Sequence, residues 1–233
     1  MNAIQKPGGV MVGNRRGEAS RAALLGAGKA AFSRDRYEEV SIVDLARSLG
    51  VAAGSISYHF GGKRGFYLAV LEQAAEELWG ALSAMRGPAL DRLTRGIDLL
   101  LDEAEQQPRA FEALFADVAD AEVRAIRDRH RTQLTDALVV EVTDSESSPV
   151  LRAAMAGFVA YIEGLVLHWT RTREMTREQV TGLVVGTMFG TILAALRTDP
   201  SIELTRRAID AALADPQAVA FLGSLSTMSN TTE

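Results

Sequence analysis

The chain has 233 residues, 47% of them apolar, with 25 Lys and Arg against 30 Asp and Glu for a formal net charge of −5. That length suits one compact unit or two closely packed subdomains with a sizeable core. The absence of cysteine excludes disulfides, thiolate zinc sites and cysteine nucleophiles, and is compatible with a reducing cytoplasm. The charge is unevenly placed: residues 1–66 hold ten Lys/Arg and five Asp/Glu, a local excess of +5, which leaves −10 for the remainder. A basic head on an acidic body is the asymmetry expected of a DNA-binding module joined to something else.

In chain order, residues 1–17 are Gly-rich, contain Pro7 and lack the apolar core of a signal peptide. They read as a disordered arm ending in Arg15 and Arg16, either a solvated tail or a minor-groove arm. A helix from about Glu18 to Phe32 follows. Ser41 and Asp44, three apart, then form a capping-box variant ahead of the periodic Ile42, Leu45, Ala46 and Leu49. Gly50 stands where a left-handed residue ends a helix without a Cβ penalty. Val51 plugs the turn, and a short second helix is predicted over 52–58, with Ile56 inward and Ala52, Ala53, Ser55, Ser57 and Tyr58 outward. Two short helices joined by a tight Gly-containing turn form a helix-turn-helix. Such a unit lays its second helix in the major groove. Small side chains on that helix allow close approach to base edges, and Tyr58 and His59 can donate to phosphate oxygens. Gly61 and Gly62 precede Lys63, which sets a cation among the free amides opening the next helix.

The stretch from Glu18 to about Leu78, and above all SIVDLARSLGVAAGSISYHFGGKRGF at 41–66, resembles the DNA-binding domain of the tetracycline-repressor (TetR) family of bacterial regulators. The resemblance implies that Ser41 caps its helix and touches a phosphate, that Ala52 to Ser57 lie on the recognition helix, and that Tyr58, His59 and Lys63 contact phosphates, with Phe60 a buried aromatic. Three positions depart from the family pattern. Arg36 stands where glycine is usual, Ala52 where Ser or Thr is common, and Ser57 where Tyr is frequent. The first helix must therefore end without a left-handed glycine, and the recognition helix lacks a side-chain cap.

Beyond the head, a long helix is predicted over 63–85 and is stopped by Gly87-Pro88. Further helices follow over 89–106, 108–118, 121–143, 150–172, 176–197 and 204–213, then a Ser/Thr-rich tail from 216 that reads as frayed. The expected fold is all-α: a three-helix DNA-binding domain (18–65) followed by a helical ligand-binding and dimerisation domain (66–215). Residues 180–196 carry no charge and space Gly182, Gly186 and Gly190 by four, which flattens one helix face for close approach. With Phe158 and Leu165 these glycines are the expected dimer interface, in keeping with the two-fold symmetry of helix-turn-helix readers. The resemblance likewise implies a homodimer joined through the last two long helices. A membrane or scaffold role for the 180–196 segment is the rival from another class.

The resemblance also implies a small-molecule effector held in the acidic body. Candidate pocket residues are large or polar groups interrupting apolar helices: Trp79, Met85, Phe111, Phe115, Tyr161, Glu163, His168 and Trp169. Control by a protein partner, or by no ligand, is the alternative within the same fold. Three histidines without H-x-x-x-H or H-E-x-x-H spacing, no P-loop and no G-x-S-x-G elbow give no support for a metal centre, a cofactor or catalysis. Arg127 to Arg131, RDRHR, reads as the solvated face of a helix. The function expected is a non-enzymatic, cytoplasmic and nucleoid-associated regulator binding a palindromic operator.

Overall fold

The structure, a computed structural model, describes residues 11–116, 120–144 and 148–214. Among these it is all-helical, apart from a single antiparallel bridge between Thr143 and Leu204. The expected tail from 216 and the first ten residues of the expected arm lie outside the described residues. The chain divides into two compact units between Ala74 and Ala75.

The N-terminal unit contains α1 (Met11–Arg34), α2 (Ile42–Ser48), α3 (Ser55–Phe60) and the start of α4 (Lys63–Ala84). Helix α1 begins at Met11, so residues 11–17 continue a helix where the composition suggested an arm. It ends at Arg34, and Arg36 keeps a negative φ. The turn closes through hydrogen bonds instead: the Arg36 amide donates to Glu39 Oε2 at 2.9 Å, and the Glu39 and Val40 amides donate to the Arg36 carbonyl. Leu24, Phe32, Ala46, Ile56, Phe66 and Val70 form the core of this unit. Phe66 and Val70 belong to α4, so its first turns complete the head, and the unit boundary falls nine residues later than the pattern implied.

The C-terminal unit holds the rest of α4 and α5 (Ala89–Gln106), α6 (Pro108–Phe115), α7 (Ala121–Val142), α8 (Pro149–Thr172), α9 (Arg177–Thr198) and α10 (Arg206–Ala214). Starts are set by caps. Asp120 accepts from the Glu122 and Val123 amides, Ser148 from Val150 and Leu151, and Thr176 with Gln179 makes a complete capping box. Helix α8 ends on Arg173, whose φ of 53° is left-handed without the ease of glycine. Helix α8 is central, burying Leu151, Met155, Phe158, Val166 and Trp169 against α5, α7 and α9. Phe158 is 2% exposed, which corrects its expected place at a dimer interface: the α8 stripe that carries it faces the core of its own chain. Trp169 donates from Nε1 to the Met175 carbonyl at 2.9 Å, and Arg173 lies over its ring.

Helix α10 is fastened to the end of α7. Beside the Thr143–Leu204 bridge, Thr143 Oγ1 donates to the Glu203 carbonyl at 2.7 Å and Thr205 Oγ1 to the Glu141 carbonyl at 2.6 Å. The RDRHR segment is less solvated than its composition suggests. Arg131 donates from Nε to both Glu163 oxygens, at 3.0 and 2.7 Å, and from Nη2 to Oε2. This ties α7 to α8, and the bond to Glu163 holds the Arg131 guanidinium above its usual pKa.

Candidate nucleic-acid interface and internal cavity

The helix-turn-helix rests on a small number of local devices. Ser41 Oγ accepts from the Asp44 amide at 3.3 Å and opens α2. At the other end the Gly50 amide donates to Arg47 O and the Val51 amide to Ala46 O, a Schellman pair made possible by Gly50 at φ 66°. Helix α3 then starts at Ser55 behind Gly54, with no side-chain cap. It runs 55–60, so Ala52 and Ala53 lie in the turn before it, exposed, and not on the helix. Three residues after an abrupt Schellman stop leave no room for an earlier start.

Ile56 is the main anchor of α3: it is 0% exposed and is the one fully buried residue of that helix, with Phe60 at the end packing half-buried against the core. Ser57 is exposed, Ser55 and His59 are half-buried, and Tyr58 is 85% exposed. The Tyr58 ring rests only edge-on against His59, centroids 5.0 Å apart. A tyrosine left so far in solvent, on a helix whose core contacts are made by Ile56 and Phe60, presents its hydroxyl outward. Phe60 packs against Phe66, ring centroids 5.0 Å apart, but is half-buried and not the fully buried aromatic expected. Lys63 is more engaged than a solvated cation: Nζ donates to the Glu38 carbonyl at 3.0 Å and lies 4.8 Å from the Tyr37 ring centroid. Ser41, Ala52, Ala53, Ser57 and Tyr58 thus combine exposure with short separation along the motif, while Lys63 also braces the loop before α2.

Two glycines that sequence reasoning passed over shape this unit. A Cβ on Gly28 would lie 2.5 Å from Phe66 Cζ and 2.7 Å from Val70 Cγ2. A Cβ on Gly65 would overlap the Phe60 carbonyl oxygen. Neither has a left-handed φ, so the only cue in the sequence is a glycine inside a helix.

In the C-terminal unit a cavity of about 200 Å³ lies among the end of α4, α5, α7, α8, α9 and α10, walled by Leu93, Ile97, Leu138, Ile162, Met188 and Ile192. Of the eight expected pocket residues only Met85 lines it. Phe111 and Trp169 are buried in the core, Glu163 is held by Arg131, and His168 is exposed. Phe115 and Tyr161 pack against the core as partly buried residues, and Trp79 is half-buried on α4. The cavity draws on residues far apart in sequence, and no local pattern marks them. Its polar residues, Arg92 and Glu141, face each other across α5 and α7 at 2.5 Å. No group of three metal-binding side chains occurs among the described residues.

Residues 24–70 match the family model described as bacterial regulatory proteins, tetR family. Over 66 residues, 28% of its length, the chain is 38% identical to the HTH-type transcriptional regulator BetI 2 of Chromohalobacter salexigens, of which the match spans about a third (32%). A tetR-family transcriptional regulator from Streptomyces coelicolor superposes with a TM-score of 0.73 at 23% identity, over 90% of this chain and 98% of that one. A putative TetR-family regulator from Rhodococcus sp. gives 0.57 at 22%, over 75% and 98%. The structural likeness extends through the C-terminal unit, and at these identities it speaks to fold.

Proposed function

We propose that this chain, which is a TetR-family DNA-binding transcriptional regulator by its N-terminal domain, acts as a homodimeric repressor released from a palindromic operator by a small apolar or amphipathic effector. The observation that carries the DNA-binding half is Tyr58, 85% exposed beside Ser57 on a short helix anchored by Ile56. Ser41, Tyr58, His59 and Lys63 are assigned to phosphates, which fix register, and Ala52, Ala53, Ser55 and Ser57 to the base-facing surface. The protein works in the cytoplasm, on the nucleoid, without a cofactor.

The dimer half rests on uncovered apolar surface. Helices α8 and α9 are each long and apolar enough to cross a membrane, yet only 33% and 22% of their most apolar stretches are buried within one chain. What they leave open is narrow and small-sided: Ala156, Gly157, Ala160 and Gly164 on α8, and Gly182, Gly186 and Gly190 on α9, beside Leu183 at 45% exposure. Nothing lies within 4 Å of a Cβ added at any of those five glycines. A second copy laid on these stripes brings backbones close, which is the use of small residues at this spacing. Leu165, partly buried against the core, sits at the margin of the face.

Fluorescence anisotropy on DNA from upstream of the chain's own gene tests the reading. Affinity that falls steeply between low and moderate salt supports phosphate neutralisation by the head; no binding to any native promoter fragment at low salt rejects it. Within that assay Tyr58→Ala is expected to weaken operator and unrelated duplexes by a similar factor, whereas Ser57→Ala shifts preference among operators. Gly186→Leu is expected to turn the dimer into monomer in light scattering, since a leucine wedges a face built for close contact. An unchanged dimer would remove α9 from the interface.

A further inference from the structure

Resting on the effector reading above, we propose that the C-terminal cavity takes an amphipathic monoanion, an apolar body of roughly ten carbon atoms ending in a carboxylate, and that Arg92 is the residue that binds the acid group. The size follows from volume: about 200 Å³ exceeds the roughly 150 Å³ apolar void that accepts benzene. The orientation follows from exposure. Ile97, Ile162 and Met188 are buried, while the Arg92 and Glu141 side chains keep 30% and 25% exposure. An apolar chain therefore points inward and its polar end stays at the solvent side.

The charge sign follows from Arg92. Its Nε is buried and has no hydrogen-bond acceptor among the described residues. Burial without an acceptor is costly for such a donor, and more so on a charged group. The closest contact to Glu141 is made by Nη2. A carboxylate offers two oxygens to the Nε and Nη2 edge together, the paired geometry that a guanidinium favours. Glu141 can yield its place because it is already shared: Arg207 of α10 lies 3.4 Å from the same Oε1. Two guanidinium groups thus converge on one carboxylate, and Asp144 reaches only Arg207, at 3.9 Å. The four charges at this mouth balance, Arg92 and Arg207 against Glu141 and Asp144, so it is the unsatisfied Arg92 Nε donor that favours an incoming anion. Ala208 and Ala211 of α10 complete the wall, so the acid group that frees Glu141 from Arg92 acts beside the helix that closes the cavity.

The test uses the full chain and three probes of one tail length: decanoate, 1-decanol and decyltrimethylammonium, each below micelle formation, by calorimetry. Decanoate is expected to bind at least about tenfold tighter than the alcohol, the increment of a charge-assisted pair, with the ammonium weakest. Arg92→Met is expected to bring decanoate down to the affinity of decanol and leave decanol unchanged. Glu141→Gln, which releases Arg92, is expected to tighten decanoate binding, and gives a second readout should the methionine variant melt early. Equal binding of decanoate and decanol, or decanoate binding indifferent to both substitutions, overturns the proposal. Arg92-dependent decanoate binding that leaves operator affinity untouched upholds the ligand class and overturns the effector reading. Operator release by other small molecules, with no decanoate binding, upholds the effector reading and overturns this one.

Discussion

Gly65→Ala is expected to destabilise the N-terminal unit by about 1–3 kcal/mol or more, and to abolish DNA binding at temperatures where the parent still binds. Gly65 lies in the first turn of α4, directly after α3 has ended on Gly61 and Gly62 with φ of 73° and 114°. That reversal brings the last carbonyl of α3, on Phe60, against the backbone of α4, where an added Cβ would overlap the oxygen. The obstacle is main chain. It cannot rotate away as a side chain can, and moving it shifts Phe60 off Phe66 in the core of the head. Helix propensity pulls the opposite way, since alanine is favoured over glycine by about 1 kcal/mol in a helix interior. Gly80→Ala supplies the control, because Gly80 belongs to the same helix and nothing lies within 4 Å of its Cβ position. Urea unfolding should show Gly80→Ala neutral or stabilising and Gly65→Ala strongly destabilising. Two variants of equal stability would mean that α3 and α4 approach each other less closely than described.

Glu163→Ala is expected to cost about 2–4 kcal/mol, with most of the loss recovered in the double variant Arg131→Met/Glu163→Leu. Glu163 is 8% exposed and faces Arg131 through three hydrogen bonds linking α7 to α8. Removing the carboxylate leaves a guanidinium whose side chain is 32% exposed, so water repays part of the loss and the figure stays below that of a fully buried pair. Replacing both partners by apolar groups removes the desolvation cost together with the attraction. A double-mutant cycle in urea reads the coupling directly. Simple additivity of the two single substitutions would show that the pair contributes nothing as a pair.

Helix existence and order were legible in the sequence because periodicity, prolines and caps agree. Ser41, Asp120, Ser148 and Thr176 each open a helix where a polar residue precedes an apolar stripe. What local pattern could not give was which side of a helix meets which neighbour. Phe158 and Leu165 share one periodic stripe with Met155 and Trp169, and that stripe faces the core; the outward face is marked by small residues, which hydrophobic patterning weighs least. Gly182, Gly186 and Gly190 were visible for that reason, since a repeat of glycines is itself a pattern. The start of α3 slipped from 52 to 55 because alanine is the best helix former and favoured an early start, whereas the chain leaving the Schellman turn makes a further turn, closed by the Ser55 amide on the Ala52 carbonyl, before the helix begins. The cavity escaped because size and polarity were sought in aromatic residues, while its walls are mostly ordinary Leu, Ile and Met drawn from six helices. Arg92 and Glu141 are 49 positions apart, and nothing between them signals the pairing.

The six residues of α3 divide their duties cleanly. Ile56 holds the helix down, while Ser57 and Tyr58 contribute almost nothing to the core. A helix this short does not sustain itself in water, so its order is borrowed through Ile56, Phe60 and two flanking glycines. Substitutions at exposed positions away from such anchors usually stay within about 0.5 kcal/mol of neutral. The surface offered to DNA can therefore drift through many sequences without endangering the fold that displays it. Evolution is free to change the operator vocabulary of this head at Ala53 and Ser57 while Ile56, Gly50 and Gly65 stay fixed.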